Sequence, residues 1–182
     1  MTLTYFLTID GVDGGSRVRG HEGAFEITDF NFDLGQLGSA LAGAGGAGAQ
    51  PQFSPVSVGL DLGPALTDVL RLAASGSTIP SIRIEGVTSG EGVGETVYDL
   101  TLGGVTIANL HESAGSDRIG FEFSQVALTT RQQDATGGLG AAETFSFVAR
   151  STRPAPASPR PIRRRPPRAS RPRLRALRRS RH

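Results

Sequence analysis

The sequence predicts a mainly β domain, a small barrel or strongly curled sandwich with one helix on its flank. Three observations carry this. Apolar alternations of period two recur through the first 150 residues, separated by Gly-rich turns. Several change phase partway, as a strand does where a bulge inserts one residue, and bulges bend strands. One stretch alone follows a period of 3.6.

"LTYFLTID" puts Leu3, Tyr5, Leu7 and Ile9 on one face and Thr4, Thr8 and Asp10 mostly on the other, before the turn "VDGGS". "GAFEITDFNFDL" begins with Phe25 and Ile27 and continues in the opposite phase with Phe30, Phe32 and Leu34. "FSPVSVGL" groups Val56, Val58 and Leu60; "SIRIEGV" groups Ile82 and Ile84. A second phase break falls at Gly103–Gly104, between Leu100/Leu102 and Val105/Ile107, and a third between Phe121/Phe123 and Val126/Leu128. "TFSFVA" is a last short strand. The helix is expected over 61–75: Leu62, Ala65, Leu66, Val69, Leu70 and Ala73 form one stripe, Pro64 suits its first turn, Asp61 is placed to cap it and Gly76 to end it.

Charge divides the chain. Residues 1–149 hold all 17 acids and six of the 19 basic residues, a net of −11; residues 150–182 hold the other 13 basic residues and no acid. Every basic residue is Arg, so lysine Schiff bases, a Walker phosphate loop and Ser–Lys catalysis are excluded. The absence of Cys excludes disulfides, thiol nucleophiles and thiolate-bound metals. The N-terminus lacks the basic start and apolar run of a signal peptide, and no stretch approaches the ~20 apolar residues of a membrane span. Synthesis in the cytoplasm is expected, with any export by a route that needs no standard signal.

The tail over 151–182, with seven of the 11 prolines, holds three fully apolar residues larger than alanine, too few to offset chain entropy, and is expected to be disordered. Its arginines, Arg163, Arg164 and Arg165 among them, suit nonspecific polyanion contact through counterion release. Without an aromatic it has nothing to stack on bases. A dispensable extension is favoured over polyanion contact, with a role in folding or assembly third: codons of G and C alone encode Gly, Ala, Pro and Arg, so a GC-rich gene read past a frameshift would yield such a tail.

No cofactor, metal or catalytic site is expected. Gly43-Ala-Gly45-Gly46-Ala-Gly48 fits G-x-G-x-x-G formally, but Pro51 and Pro55 block the helix that the fingerprint must open. His21–Glu22 and His111–Glu112 are neighbours, which point to opposite faces of a strand, so neither forms a local dyad; both histidines are expected to be exposed in loops or at strand ends. The acids, spread singly, read as a solvated outer face.

The ordered pieces "FLTIDGVDG", "GHEG" with its aromatic strand, a Gly/Ala-rich loop, "LAASGSTIP" and "FSQVALT" resemble the haemolysin-coregulated protein (Hcp) family over about residues 3–150. The resemblance implies a compact Hcp-like β-barrel domain over 1–150 with one flanking α-helix, the disordered tail lying outside it. It implies a structural, non-enzymatic component of type VI secretion, exported through that system. Homohexameric rings would stack into an inner tube that carries small effectors, with sheath and spike proteins as further partners. The family's extended loop, contacting the adjoining subunit or ring, corresponds to residues 36–52, where small side chains let backbones approach closely. Subunit-interface candidates there are Leu37, Leu41 and Phe53 as apolar anchors, with Gly45 and Gly46 between them. Two alternatives remain: a stand-alone Hcp-like ring or cargo-binding module, and a polyanion-binding protein acting through its tail.

Overall fold

In the computed structural model, the described residues are 3–36, 51–88, 94–113, 116–133 and 138–148. Ten strands occur among them: β1 (Leu3–Ile9), β2 (Phe25–Asn31), β3 (Leu34–Gln36), β4 (Pro51–Phe53), β5 (Val56–Leu60), β6 (Ile79–Thr88), β7 (Thr96–His111), β8 (Asp117–Glu122), β9 (Gln125–Gln133) and β10 (Leu139–Val148). The helix α1 spans Leu66–Ser75. The tail expected at 151–182 lies outside the described residues.

Six strands close into a barrel in the order β7-β6-β1-β2-β5-β8, the last pairing back onto β7. Closure depends on β7 changing neighbours along its length. Tyr98–Gly103 pair with β9, while Thr106–His111, further along the strand, pair with β8. The change falls at Gly104, in the left-handed region at φ 59, where an added Cβ would strike Ser124 Oγ. The phase break read at Gly103–Gly104 is therefore the point where one strand serves two partners. The break in "GAFEITDFNFDL" is a register shift between Ile27 and Asp29 against β5. The third is the passage from β8 to β9.

Antiparallel pairing carries β1 into β2 and β6, and the alternation turns Leu7 and Ile9 inward. They meet Phe25, Val56, Val58, Leu60, Ile82, Ile84, Leu100, Leu102, Ile119 and Phe121 in one continuous core. A barrel this narrow is filled by its own side chains. Phe6, on the opposite face of β1, is buried as well: with Ala24 and Val87 it forms a second cluster outside the barrel wall. The expected solvated face of this strand is thus partly covered.

The helical segment starts later than its periodicity suggests. A single 3-10 turn, Gly63–Ala65, precedes α1, and Pro64 sits in that turn. Asp61 does not cap α1; its Oδ1 accepts the Gly63 N–H at 3.0 Å. The entry is pinned from β8, where buried Asp117 accepts the Leu62 N–H at 3.0 Å and the Ser113 N–H at 3.3 Å. Leu62, Ala65 and Val69 are buried, Leu66 and Ala73 half-buried, and Leu70 exposed, so the apolar stripe is narrower than six residues. Gly76 ends the helix in the left-handed conformation, as expected. Asp117→Asn is expected to cost about 1–2 kcal/mol, because the amide turns one donor toward a backbone N–H that had an acceptor. Equilibrium denaturation in urea would measure it.

Candidate assembly surfaces

Two strands lie outside the barrel. β9 pairs with the first half of β7, β10 pairs with β9, and the outer edge of β10 has no strand beside it among the described residues. Pairing continues the rows of the barrel interior onto this wing. One row runs Leu7, Ile84, Leu100, Leu128, Phe145; the next runs Ile9, Ile82, Leu102, Val126, Phe147. Residues directly opposite in a sheet share a face, so both rows carry apolar side chains from the core to β10.

The two rows end differently. Phe147 is half-buried beneath Phe53, with ring centroids 5.2 Å apart. Phe53 also lies 5.8 Å from Phe32, stacked, and 5.6 Å from Phe123. It stands on β4, which pairs with β3 as the stem of the 36–52 loop. Phe145 has no such cover and is 47% exposed; Val148 on the other face is 63% exposed. Of the predicted interface residues, Phe53 is therefore half-buried within its own chain. Leu37, Leu41, Gly45 and Gly46 lie outside the described residues. Sequence reading missed the wing edge because "LGAAE", the first half of β10, has no apolar alternation. The one available signal was the alternation of Phe145 and Phe147 in "TFSFVA".

The outer wall carries a second constellation. Glu26, Phe6, Glu85 and Asp99 stand side by side on β2, β1, β6 and β7. Arg83 forks onto both Asp99 oxygens at 3.0 and 2.6 Å and reaches Glu85 at 3.1 Å. The hydrogen bond from Arg83 holds the Asp99 carboxyl below the usual carboxylate range. Glu85 and Asp117 are buried, which corrects the reading of all acids as a solvated face: each has donors to satisfy it, guanidinium for one and backbone for the other. His21, expected to be exposed, is instead stacked on Phe6 at 4.4 Å. His111, at the end of β7, is exposed as expected.

At one end of the barrel Tyr5, Phe30 and Tyr98 pack edge to face and tilted, with centroids 5.2–6.1 Å apart. Burial pushes the Tyr98 phenol up to about 12. An unfolded phenol ionises near 10, so between about 10 and 12 the unfolded chain holds fewer protons and stability falls as pH rises. Tyr98→Phe is expected to flatten that slope, as read from denaturation midpoints between about pH 9.5 and 11.5.

Among the described residues no three His, Asp or Glu converge as a metal site, and no helix is long and apolar enough to cross a membrane. The fold and its surfaces define a class of protein: a filled antiparallel β-barrel bearing a two-stranded wing whose outer strand has no neighbour among the described residues. The family model described as type VI secretion system effector, Hcp, matches residues 6–130, and the chain belongs to that family.

Solved structures agree in fold. A type six secretion system protein superposes with a TM-score of 0.71 at 18% identity, covering 81% of this chain and 96% of its own. Hcp1 from Salmonella typhimurium gives 0.64 at 19%, covering 81% and 95%, and a type VI secretion system effector from Yersinia pestis gives 0.60 at 15%, covering 80% and 99%. No curated protein matches the sequence. Family and fold together make this a type VI secretion tube or effector protein.

Proposed function

We propose that the chain forms homohexameric rings that stack into the inner tube of a type VI secretion system, carry small effectors, and leave the cell through it. The observation that carries this reading is the apolar row ending at exposed Phe145 on an edge strand. An unpaired strand edge with a large apolar side chain is a template for another chain. The role is structural rather than enzymatic: Asp99, Asp117 and Glu85 are committed to guanidinium and backbone partners. Residues 36–52 supply the contact to the neighbouring ring, with Leu37 and Leu41 as anchors and Phe53 fixing the stem from which the loop leaves. Sheath and spike proteins are the further partners.

Light scattering after size exclusion tests the reading, on the full chain and on a chain ending at Arg150, at low and high salt. A mass near six subunits supports it. A monomer at every concentration overturns it and leaves a barrel of the same fold with another purpose. Assembly by the full chain alone, and only at low salt, would assign the arginine tail a part through polyanion contact.

A further inference from the structure

The segment between β1 and β2, residues 10–24, folds over the outer wall instead of extending into solvent. It is held together by its own backbone: the Gly14 N–H bonds the Gly23 carbonyl at 2.7 Å, Ser16 bonds Ala24 at 3.1 Å, Gly23 bonds Ser16 at 2.9 Å and Ala24 bonds His21 at 3.2 Å. Its hold on the barrel comes from Ala24, which joins Phe6 and Val87, and from His21, which lies flat on the Phe6 ring, interplanar angle 5°.

The side chain of His21 is 9% exposed and that of Glu85 10%. His21 Nδ1 stands 3.4 Å from Glu85 Oε2, within ion-pair distance, yet has no hydrogen-bond partner. The opposite Glu85 oxygen is already engaged by Arg83. A buried imidazole nitrogen beside a buried carboxylate oxygen is a contact that becomes an ion pair when the ring takes up a proton.

We propose that His21 is a proton-operated latch fastening the 10–24 loop to the barrel wall through Glu85. The charged groups around it are mainly acidic. Glu85 is in direct reach; Glu26 on β2 flanks the Phe6 on which His21 stacks, and Asp99 on β7 closes the acidic row. Arg83 on β6 is the one cation of that row and is shared between Asp99 and Glu85. On the loop itself, Glu22 accepts the Gly20 N–H, and Arg17 and Arg19 are exposed. The ring of Phe6 adds a cation–π face. Imidazole changes charge in the range of about pH 5 to 8, so the fastening is present at the acidic end and is lost as pH rises.

Amide hydrogen exchange of the full chain tests this, at about pH 5.5 and about pH 8, after correction for intrinsic exchange. In wild type, the Gly14, Ser16, Gly23 and Ala24 amides are expected to be about tenfold better protected at the lower pH, while the barrel amides of Ile82 and Ile84 change little. Both His21→Gln and Glu85→Gln should remove the difference. Equal loop protection at the two pH values in wild type overturns the latch, as does a difference that survives in either variant. Wild type alone decides the matter if one variant fails to fold.

Discussion

Truncating Phe53 to alanine is expected to destabilise the domain by about 3 kcal/mol, at the low end for a large aromatic because its ring is only half-buried. Three aromatic contacts disappear together, to Phe32, Phe123 and Phe147. With Phe53 itself, these side chains come from four places in the chain, so the loss also unties the loop stem from β10. Phe147 would then lose its cover, and the amides of β10 should exchange faster than those of β9. Phe53→Leu keeps most of the volume and is expected to recover more than half of the stability. Urea denaturation separates the outcomes. A loss below about 1 kcal/mol for the alanine variant would mean that the stem is held by its backbone pairing and that Phe53 is free to serve a neighbouring subunit.

That dual possibility explains why Phe53 is legible in the sequence and its role is not. Apolar periodicity shows that a side chain will be buried, and Val58, Leu100 and Ile84 are buried as their strands predict. Phase breaks show where strands bend, and those at Ile27–Asp29 and Gly103–Gly104 became a bulge and a change of partner. Neither signal reports which strand lies alongside. The continuation of the core rows onto β10 depends on the β9–β10 pairing and on the β7–β9 register, which joins Tyr98–Gly103 to Gln125–Thr130 across the intervening β8. The same limit hid the outer wall. Adjacent His21 and Glu22 drew attention as a pair, whereas the carboxylate that meets His21 is Glu85, brought there because β1 pairs with β6. Asp61 looked like the helix cap on local spacing, but the backbone N–H at the helix entry went to Asp117, 55 residues away. Local hydrogen bonds are readable; those that anchor one element to another require the topology first. Leu37, Leu41, Gly45 and Gly46 lie outside the described residues, and their role rests on the family resemblance.

Phe145→Asp is expected to abolish ring assembly while leaving the barrel folded. The two effects separate because Phe145 is already 47% exposed in the single chain, so its loss removes little from the core. Burying such a side chain against a partner is worth about 2 kcal/mol, and a carboxylate left unpaired in the same contact adds a desolvation cost of at least that size. A loss of about 4 kcal/mol lowers each pairwise association constant by roughly a thousandfold, and a closed ring meets that loss at every interface. The chain should then elute and scatter as a single 19.0 kDa subunit, with its free energy of unfolding within about 1 kcal/mol of wild type. Phe145→Leu, which keeps an apolar side chain on the edge, should retain the high-mass species. If the Asp variant assembles as wild type does, the contact between subunits lies elsewhere, and the open edge of β10 faces solvent or another component. If it unfolds instead, the row from Leu7 to Phe145 is a single structural unit, and Phe145 belongs to the core rather than to the interface.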